Sequence, residues 1–377
     1  MFYVAPPIPP SKSPKLLHLQ ILRTLAASLV VVDHTYNELY HRGVLPAGHL
    51  DAAYLLGHLG VSAFFVLSGF IMMRQSAANF GQPGSPLAFA WHRILRIVPL
   101  YWIATLLWFA TLRFSRTDVP HPLLQIGLSL SFLPNVLNPR KLDPILGQGW
   151  TLNYEMVFYA LFALCLFFPR KRALRILFGV LVPAALLGRF VSVTQLYRLH
   201  DLWGFYTYWL IILFAAGVGL ALIEMRFGRV DRRSLAISPA WLLCLPMLML
   251  LFSRSPLPNA GATLKWFSFF GAIVVVLCTL VRLEHPSWFN RVLILLGDAS
   301  YSTYLFHVWV YAWIIPPIAA LTAHFQRSNH PIPFVVAAVV TANLLGLAIH
   351  LGVERPLTRV LRKVKIGEAK SPQPALT

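Results

Sequence analysis

The sequence is poor in charged residues, and in acidic residues above all. Only 12% of its 377 residues are charged and its mean hydropathy is +0.65, whereas a soluble domain is about 25% charged. Apolar runs recur along the whole chain, and each is long enough to cross roughly 30 Å of hydrocarbon as a helix. The composition therefore predicts an all-α, polytopic membrane protein.

The chain has 13 acidic residues against 32 lysines and arginines, which gives a formal net charge of +19. In a soluble protein this balance would suggest nucleic acid as the partner. Here the basic residues fall mainly in short loops between apolar runs, a pattern that orients spans in a membrane. We therefore expect a lipid bilayer and no nucleic acid as partner.

The three cysteines lie within apolar runs and show no spacing typical of metal ligands; they are Cys165, Cys244 and Cys278. We expect neither a disulfide framework nor a metal site, and no permanently bound cofactor.

The apolar runs predict about ten transmembrane helices. Their ranges are 16–36, 52–73, 97–114, 146–168, 174–191, 203–223, 237–253, 265–282, 292–316 and 332–353. With the N-terminus in the cytoplasm most lysines and arginines fall on the cytoplasmic side, so we expect both termini there. Residues 1–15 show no signal-peptide pattern, and the first span is expected to serve as an uncleaved insertion signal.

These spans predict one membrane domain at 16–356, preceded by a cytoplasmic segment at 1–15 and followed by a basic tail at 357–377 that we expect to be disordered. A long, proline-punctuated outer loop occupies 115–145. Its apolar patch around 126–137 either lies in the membrane interface or dips into the protein.

The first span carries a cation, an acid and an imidazole in the stretch Leu22–His34. Arg23 and His34 are eleven residues apart, so on a helix they share one face, roughly 16 Å apart along the axis. Asp33 points about 100° away from His34. An ionisable residue within a span normally faces a cavity or a partner, although His34 by position alone could be an interfacial histidine.

Three further segments carry polar groups in or beside the spans. Arg93 and Arg96, placed at the mouth of the third span, are neighbours on one helix face and suit a ligand with several phosphates, or simply anchor the span. Ser68 lies in a run of small residues and either packs or lines a cavity. Glu155 lies inside the fourth span, where it either pairs with Arg23 or faces the reaction chamber.

The ninth predicted span contributes a polar stripe formed by Ser300, Tyr304 and His307. Such a stripe faces protein or water rather than lipid, so we expect these residues to line a cavity. Asp33 and Ser68 are further candidates for that lining.

Five stretches in this order on ten spans resemble the acyltransferase-3 family of bacterial integral-membrane O-acyltransferases, over about 16–356. The resembling stretches are Arg23 with ten residues before His34, GVSAFFVLSGF, Arg93-x-x-Arg96 before PLY, TLNYE, and SYSTYLFH with a final ERP. Three segments are most similar in sequence to the exopolysaccharide acetyltransferase branch: LQILRTLAASLVV, RILRIVPLYW and GWTLNYEMVFYALF.

The resemblance implies acyl transfer at the bacterial inner membrane from cytoplasmic acyl-CoA, usually acetyl-CoA, to a hydroxyl of a carbohydrate. By the same resemblance Arg23 and His34 are the essential pair, and Arg93 and Arg96 belong to the acyl-donor site. His34 would act as general base, with an acyl-His34 intermediate as the mechanistic alternative. Glu155 or Asp33 would orient His34 or hold Arg23.

The acceptor sugar could be lipid-linked, and a homo-oligomer is compatible with the sequence. A polytopic transporter or flippase of a lipid-linked saccharide is the alternative function. The inverted repeats and broken helices expected for that alternative are not evident in the sequence.

Overall fold

The computed structural model describes residues 17–43, 50–136, 142–192, 202–226, 238–244, 269–278, 287–314, 317 and 332–363. These residues form helices and connecting segments without any strand, so the all-α prediction is confirmed for the described part of the chain. The α-helices, numbered in chain order, are α1 Leu17–His41, α2 Leu50–Ser76, α3 Ser85–Phe114, α4 Pro122–Leu130, α5 Trp150–Cys165, α6 Arg170–Ser192, α7 Leu202–Tyr206, α8 Ile211–Arg226, α9 Phe269–Cys278, α10 Trp288–Asp298, α11 Ser300–Trp309, α12 Ile332–Ile349 and α13 Arg355–Leu361.

Four helical stretches of the described residues are long and apolar enough to cross a membrane: Leu50–Ser76, Ser85–Phe114, Gly204–Arg226 and Ile332–Leu361. The last of these joins α12 and α13 through the π-helical segment His350–Glu354. The number of ten spans stays a prediction, because residues 245–268 and 279–286, which carry much of the seventh and eighth predicted spans, lie outside the described residues.

The core forms around α2, which packs against α1 on one side and α8 on another. Glycines allow the close approach: a Cβ on Gly60 would lie 2.4 Å from the backbone oxygen of Ala26, and one on Gly69 would lie 2.1 Å from that of Phe214. Small residues at crossings of membrane helices permit such backbone contact. The arrangement brings α1 into the centre of the protein, with its polar residues facing other helices.

Helix α3 begins at Ser85, twelve residues before the predicted start of the third span at 97. The predicted apolar run begins only at 97 because the preceding turns of the helix carry His92, Arg93 and Arg96; Pro99 lies within the helix. Membrane helices tolerate such prolines when neighbouring groups complete the hydrogen bonding. Arg93 and Arg96 therefore lie about two and three turns inside a continuous helix, and their place at the cytoplasmic mouth of the membrane span stays a prediction.

The predicted outer loop contains α4 and packs partly into the protein. The indole of Trp102 donates to the carbonyl of Leu130 at 2.9 Å, and Phe132 stacks on Tyr101 with ring centroids 4.7 Å apart. Leu133 and Val136 of the same patch remain 47% and 52% exposed. The apolar patch thus has one face in the protein and one outside it, while residues 137–141 lie outside the described part.

Candidate active site

A cavity of about 110 Å³ lies between α1, α2, α3, α5 and α11. Three arginines from two helices, Arg23, Arg93 and Arg96, line it together with Glu155. Three cations and one carboxylate leave the cavity wall positively charged, and a charge inside a membrane protein is costly without a partner. The electrostatics therefore suit a ligand that brings several negative charges.

Two hydroxyl groups hold Glu155 in this wall. Ser68 donates to Oε1 of Glu155 at 2.8 Å, and Tyr159 donates to the same oxygen from one turn further along α5. No ion pair within 4.0 Å joins Glu155 to Arg23 among the described residues. Of the two alternatives for Glu155, the geometry shows the cavity-facing position rather than a direct pair with Arg23.

The two arginines of α3 are held differently. Arg93 is buried, donates from Nη2 to Gln75 Oε1 at 2.7 Å, and lies over the rings of Phe89 and Tyr159 at 5.4 and 5.7 Å. Arg96 is half-buried in the cavity wall. Arg93 is thus a fixed part of the packing, and Arg96 has more freedom to adjust to a ligand.

His34 lies apart from this cavity, further along α1. Its Nδ1 is 2.8 Å from Nε2 of His307, and Nδ1 of His307 is 2.7 Å from the backbone oxygen of Tyr304. The ring of Tyr311 meets His34 edge-on with centroids 6.0 Å apart. Tyr304 also lines the cavity, so α11 connects the cavity to the two histidines.

The polar stripe predicted on α11 divides between these two places. Ser300 and Tyr304 line the cavity, as does Ser68 on α2, whereas His307 contacts His34 instead. Asp33 is not part of the lining either: it is buried against α2, where a Cβ on Gly57 would come within 2.1 Å of its Oδ2.

Four residues around the site escaped the sequence analysis: Gln75, Tyr159, Tyr311 and His58. Tyr159 could have been found, since it is four residues from Glu155 on the same helix. His58 interacts electrostatically with His34, and its ring lies 4.3 Å from that of Tyr54 and 6.3 Å from that of Trp150. Nothing in its local sequence singles it out.

Comparison with known proteins identifies the family. The model of the acyltransferase-3 family, described as an acyltransferase domain, matches residues 17–351. The chain belongs to this family. As a member of the acyltransferase-3 family it is an integral-membrane acyltransferase by descent, in agreement with its apolar helices.

Individual relatives agree with this assignment. The chain is 32% identical over 311 residues to the exopolysaccharide production protein ExoZ of Rhizobium meliloti (strain 1021), covering 81% of this chain and 91% of ExoZ. It is 29% identical over 179 residues to the putative membrane-bound transacylase BcsY of Komagataeibacter xylinus, covering 44% of this chain and 41% of BcsY. No solved structure matches the chain.

A third relative comes from a virus. The putative acetyltransferase ORF330 of Acidianus two-tailed virus is 24% identical over 253 residues, which cover 67% of this chain and 72% of that protein.

Among the described residues, no group of three or more His, Cys, Asp and Glu is arranged to hold a metal ion.

Proposed function

We propose that the protein transfers an acetyl or other acyl group from cytoplasmic acyl-CoA to a hydroxyl of a cell-surface or exopolysaccharide sugar. The single observation that carries this proposal is the cavity in which Arg23, Arg93 and Arg96 surround one carboxylate on helices of an acyltransferase. Acetyl-CoA is a co-substrate that carries several phosphate charges, and planar guanidinium groups bind phosphate through paired hydrogen bonds.

In this proposal the donor enters from the cytoplasmic side and extends along α1. Arg93 and Arg96 hold the phosphates, with Arg23 and Glu155 in the wall of the same cavity. The thioester then has to reach His34, roughly 16 Å from Arg23 along the helix axis. An extended donor chain can bridge that distance, while the acceptor sugar approaches His34 from the other side.

His34 supplies the base in the proposed reaction. A hydroxyl is a weak nucleophile until its proton is removed, and imidazole suits that task near neutral pH. The sugar oxygen attacks the thioester carbonyl, the carbon–sulfur bond breaks, and the thiolate takes the proton that His34 received. An acyl-His34 intermediate is the alternative, and ping-pong kinetics with a trapped acyl-enzyme would indicate it.

The acceptor assignment follows the relatives. ExoZ is named for exopolysaccharide production, and its similarity covers most of both chains. We infer an extracytoplasmic, growing or lipid-linked saccharide as acceptor, in the inner membrane of a bacterium with both termini of the chain in the cytoplasm. Glu155 would orient the arginines and not His34, because the hydrogen bonds of Glu155 are made to Ser68 and Tyr159 in the cavity wall.

The decisive experiment follows label from radioactive acetyl-CoA into the polysaccharide fraction of membranes. We expect transfer with the wild-type protein and a loss of at least about 100-fold with His34→Gln, because general base catalysis contributes 10²–10⁴-fold. His41→Gln, an exposed histidine on the same helix, is the matched control and should keep full activity.

Equal transfer by His34→Gln at matched protein levels would remove His34 from catalysis. Absence of label with every variant, including the wild type, would contradict the assignment of acyl-CoA as the donor. It would favour the alternative function, a transporter or flippase of a lipid-linked saccharide.

A further inference from the structure

The rings of His34 and His307 and the backbone carbonyl of Tyr304 form a hydrogen-bonded series. Nδ1 of His307 lies 2.7 Å from the backbone oxygen of Tyr304. Nε2, on the other side of the same ring, lies 2.8 Å from Nδ1 of His34. His307 is completely buried. The contact between His34 and His307 joins residues 273 positions apart in the sequence and connects α11 to α1.

The carbonyl decides where the protons lie. A carbonyl oxygen only accepts hydrogen bonds, so Nδ1 of His307 carries the hydrogen that Tyr304 receives. A neutral imidazole has one N–H, which leaves Nε2 of His307 as an acceptor. His34 must then donate from its own Nδ1, and its lone pair lies on Nε2.

His307 is neutral in this arrangement because a buried imidazolium would need a counter-ion. Among the described residues no carboxylate lies within 4.0 Å of either nitrogen of its ring, and an unpaired buried charge costs several kcal/mol. The acceptor character of Nε2 thus follows from burial as well as from the contact with Tyr304.

We propose that His307 is a positioning residue that holds neutral His34 in the Nδ1–H tautomer and so places the basic lone pair on Nε2. The inference rests on the proposed acyl transfer and deepens it. In a catalytic triad a carboxylate holds the histidine in the same tautomer. Here a neutral imidazole takes that part, so no carboxylate is needed beside the ring of His34.

The surroundings keep the His307 ring from turning. Tyr311 packs against His307 and against His34, with ring centroids 5.8 and 6.0 Å apart. Tyr311 belongs to the π-helical segment Val310–Ile314 that directly follows α11, and such segments often occur at functional sites. On the neighbouring turn, a Cβ on Gly346 would lie 2.6 Å from the Cα of Thr303, so α12 closes against α11.

The same hydrogen-bonded series stabilises the reacting state. When Nε2 of His34 takes the proton of the sugar hydroxyl, Nδ1–H keeps its bond to His307, and the imidazolium formed has an acceptor ready. The proton then passes from Nε2 to the departing thiolate, so His34 and His307 both return to their starting forms.

Three variants test the proposal through turnover. His307→Leu removes the acceptor, and we expect kcat to fall by about 10²–10⁴-fold, the usual contribution of general base catalysis, with the KM for acetyl-CoA changed less than threefold. His307→Gln can accept from His34 and donate to Tyr304, and should recover kcat to within about tenfold of wild type. Phe306→Leu, a buried neighbour on α11, is the packing control.

A purely structural role for His307 predicts the opposite order. In that case leucine, being apolar, would retain more activity than glutamine, and the activity would follow the amount of folded protein. Either result would overturn the proposal.

A spectroscopic readout is independent of activity. Nitrogen-15 NMR of histidine-labelled protein in lipid nanodiscs, after subtraction of the His34→Gln spectrum, reports which nitrogen of His34 carries the proton. We expect Nδ1–H in the wild type and a loss of this preference in His307→Leu. A wild-type His34 protonated at Nε2, or an unchanged spectrum in His307→Leu, would refute the proposal.

The variants also separate the two proposals. If His34→Gln keeps its acetyl transfer, the proposed function loses its base, and the NMR result alone then decides the tautomer. If His34→Gln is inactive while His307→Leu is fully active at equal protein levels, only the positioning role is wrong.

Discussion

Arg93 and Arg96 are three residues apart and face one cavity. Their contacts nevertheless predict that substitution of Arg93 affects both packing and donor binding, and substitution of Arg96 mainly donor binding. Arg93 is hydrogen-bonded to Gln75 and stacked on Phe89 and Tyr159, so its removal would disturb packing as well as binding. Arg96 is half-buried in the cavity wall and is the cleaner probe of the donor site.

We expect Arg96→Ala to raise the KM for acetyl-CoA by about 10- to 100-fold with little change in kcat, because a hydrogen bond to a charged group contributes about 1.5–3 kcal/mol. Steady-state kinetics on membranes at varied acetyl-CoA provide the measurement. Arg113→Ala, on the exposed outer part of α3, is the control and should leave KM unchanged. An unchanged KM for Arg96→Ala would return this arginine to the role of a membrane anchor.

Local spacing predicts the parts of the site that lie on one helix. It places Arg93 beside Arg96 on α3, and it would also have placed Tyr159 beside Glu155 on α5. It cannot predict that α3, α5 and α1 bring these charges to one cavity, because that depends on how the helices pack. The contact between His34 and His307 joins the two ends of the chain and has no local signal at all.

At the scale of the helices, close backbone contact is the main determinant of the packing. A Cβ on Gly217 of α8 would lie 2.1 Å from the backbone oxygen of Val66 and 2.8 Å from the backbone nitrogen of Phe70, both on α2. A Cβ on Gly219, two residues further along α8, would meet nothing within 4 Å. One helix thus offers both a test position and its control.

We expect Gly217→Ala to destabilise the protein by about 1–3 kcal/mol, the usual cost of overpacking, since backbone atoms of α2 cannot move aside as a side chain can. Gly219→Ala should be neutral or slightly stabilising, because alanine favours a helix over glycine. Thermal unfolding of the detergent-purified variants, followed by size-exclusion chromatography, measures both. Equal melting temperatures would show that α2 and α8 do not meet as closely as the structure has them.

Helix boundaries were the less predictable part of the fold. Within the described residues most of the apolar runs coincide with helices, since hydrophobicity is a local property of the sequence. They did not indicate that α3 begins at Ser85, because the turns before residue 97 carry His92, Arg93 and Arg96 and so interrupt the apolar run. Those polar residues are accommodated since Arg93 turns toward the cavity and Gln75 rather than toward lipid.

At the scale of the whole molecule, the charge distribution predicts an orientation. Arg74 of α2 and Glu224 of α8 form an ion pair of 3.3 Å, so the ends of these two helices lie on one side of the protein. The charge pattern predicts that this side faces the cytoplasm. Helix α5 has 16 residues, fewer than the roughly 20 that a span needs, so its length alone does not predict that it crosses the membrane.

Cysteine labelling across α5 tests this orientation directly. Asp118 and Lys171 are exposed positions before and after α5, and the positive charge near Lys171 predicts a cytoplasmic location for it. In intact cells a membrane-impermeant maleimide should label Asp118→Cys but not Lys171→Cys, and both should react after permeabilisation. The unmodified chain gives the background, because Cys165 and Cys278 are buried and Cys244 is half-buried. Labelling of Lys171→Cys alone would reverse the orientation, and labelling of both positions in intact cells would show that α5 does not cross the membrane.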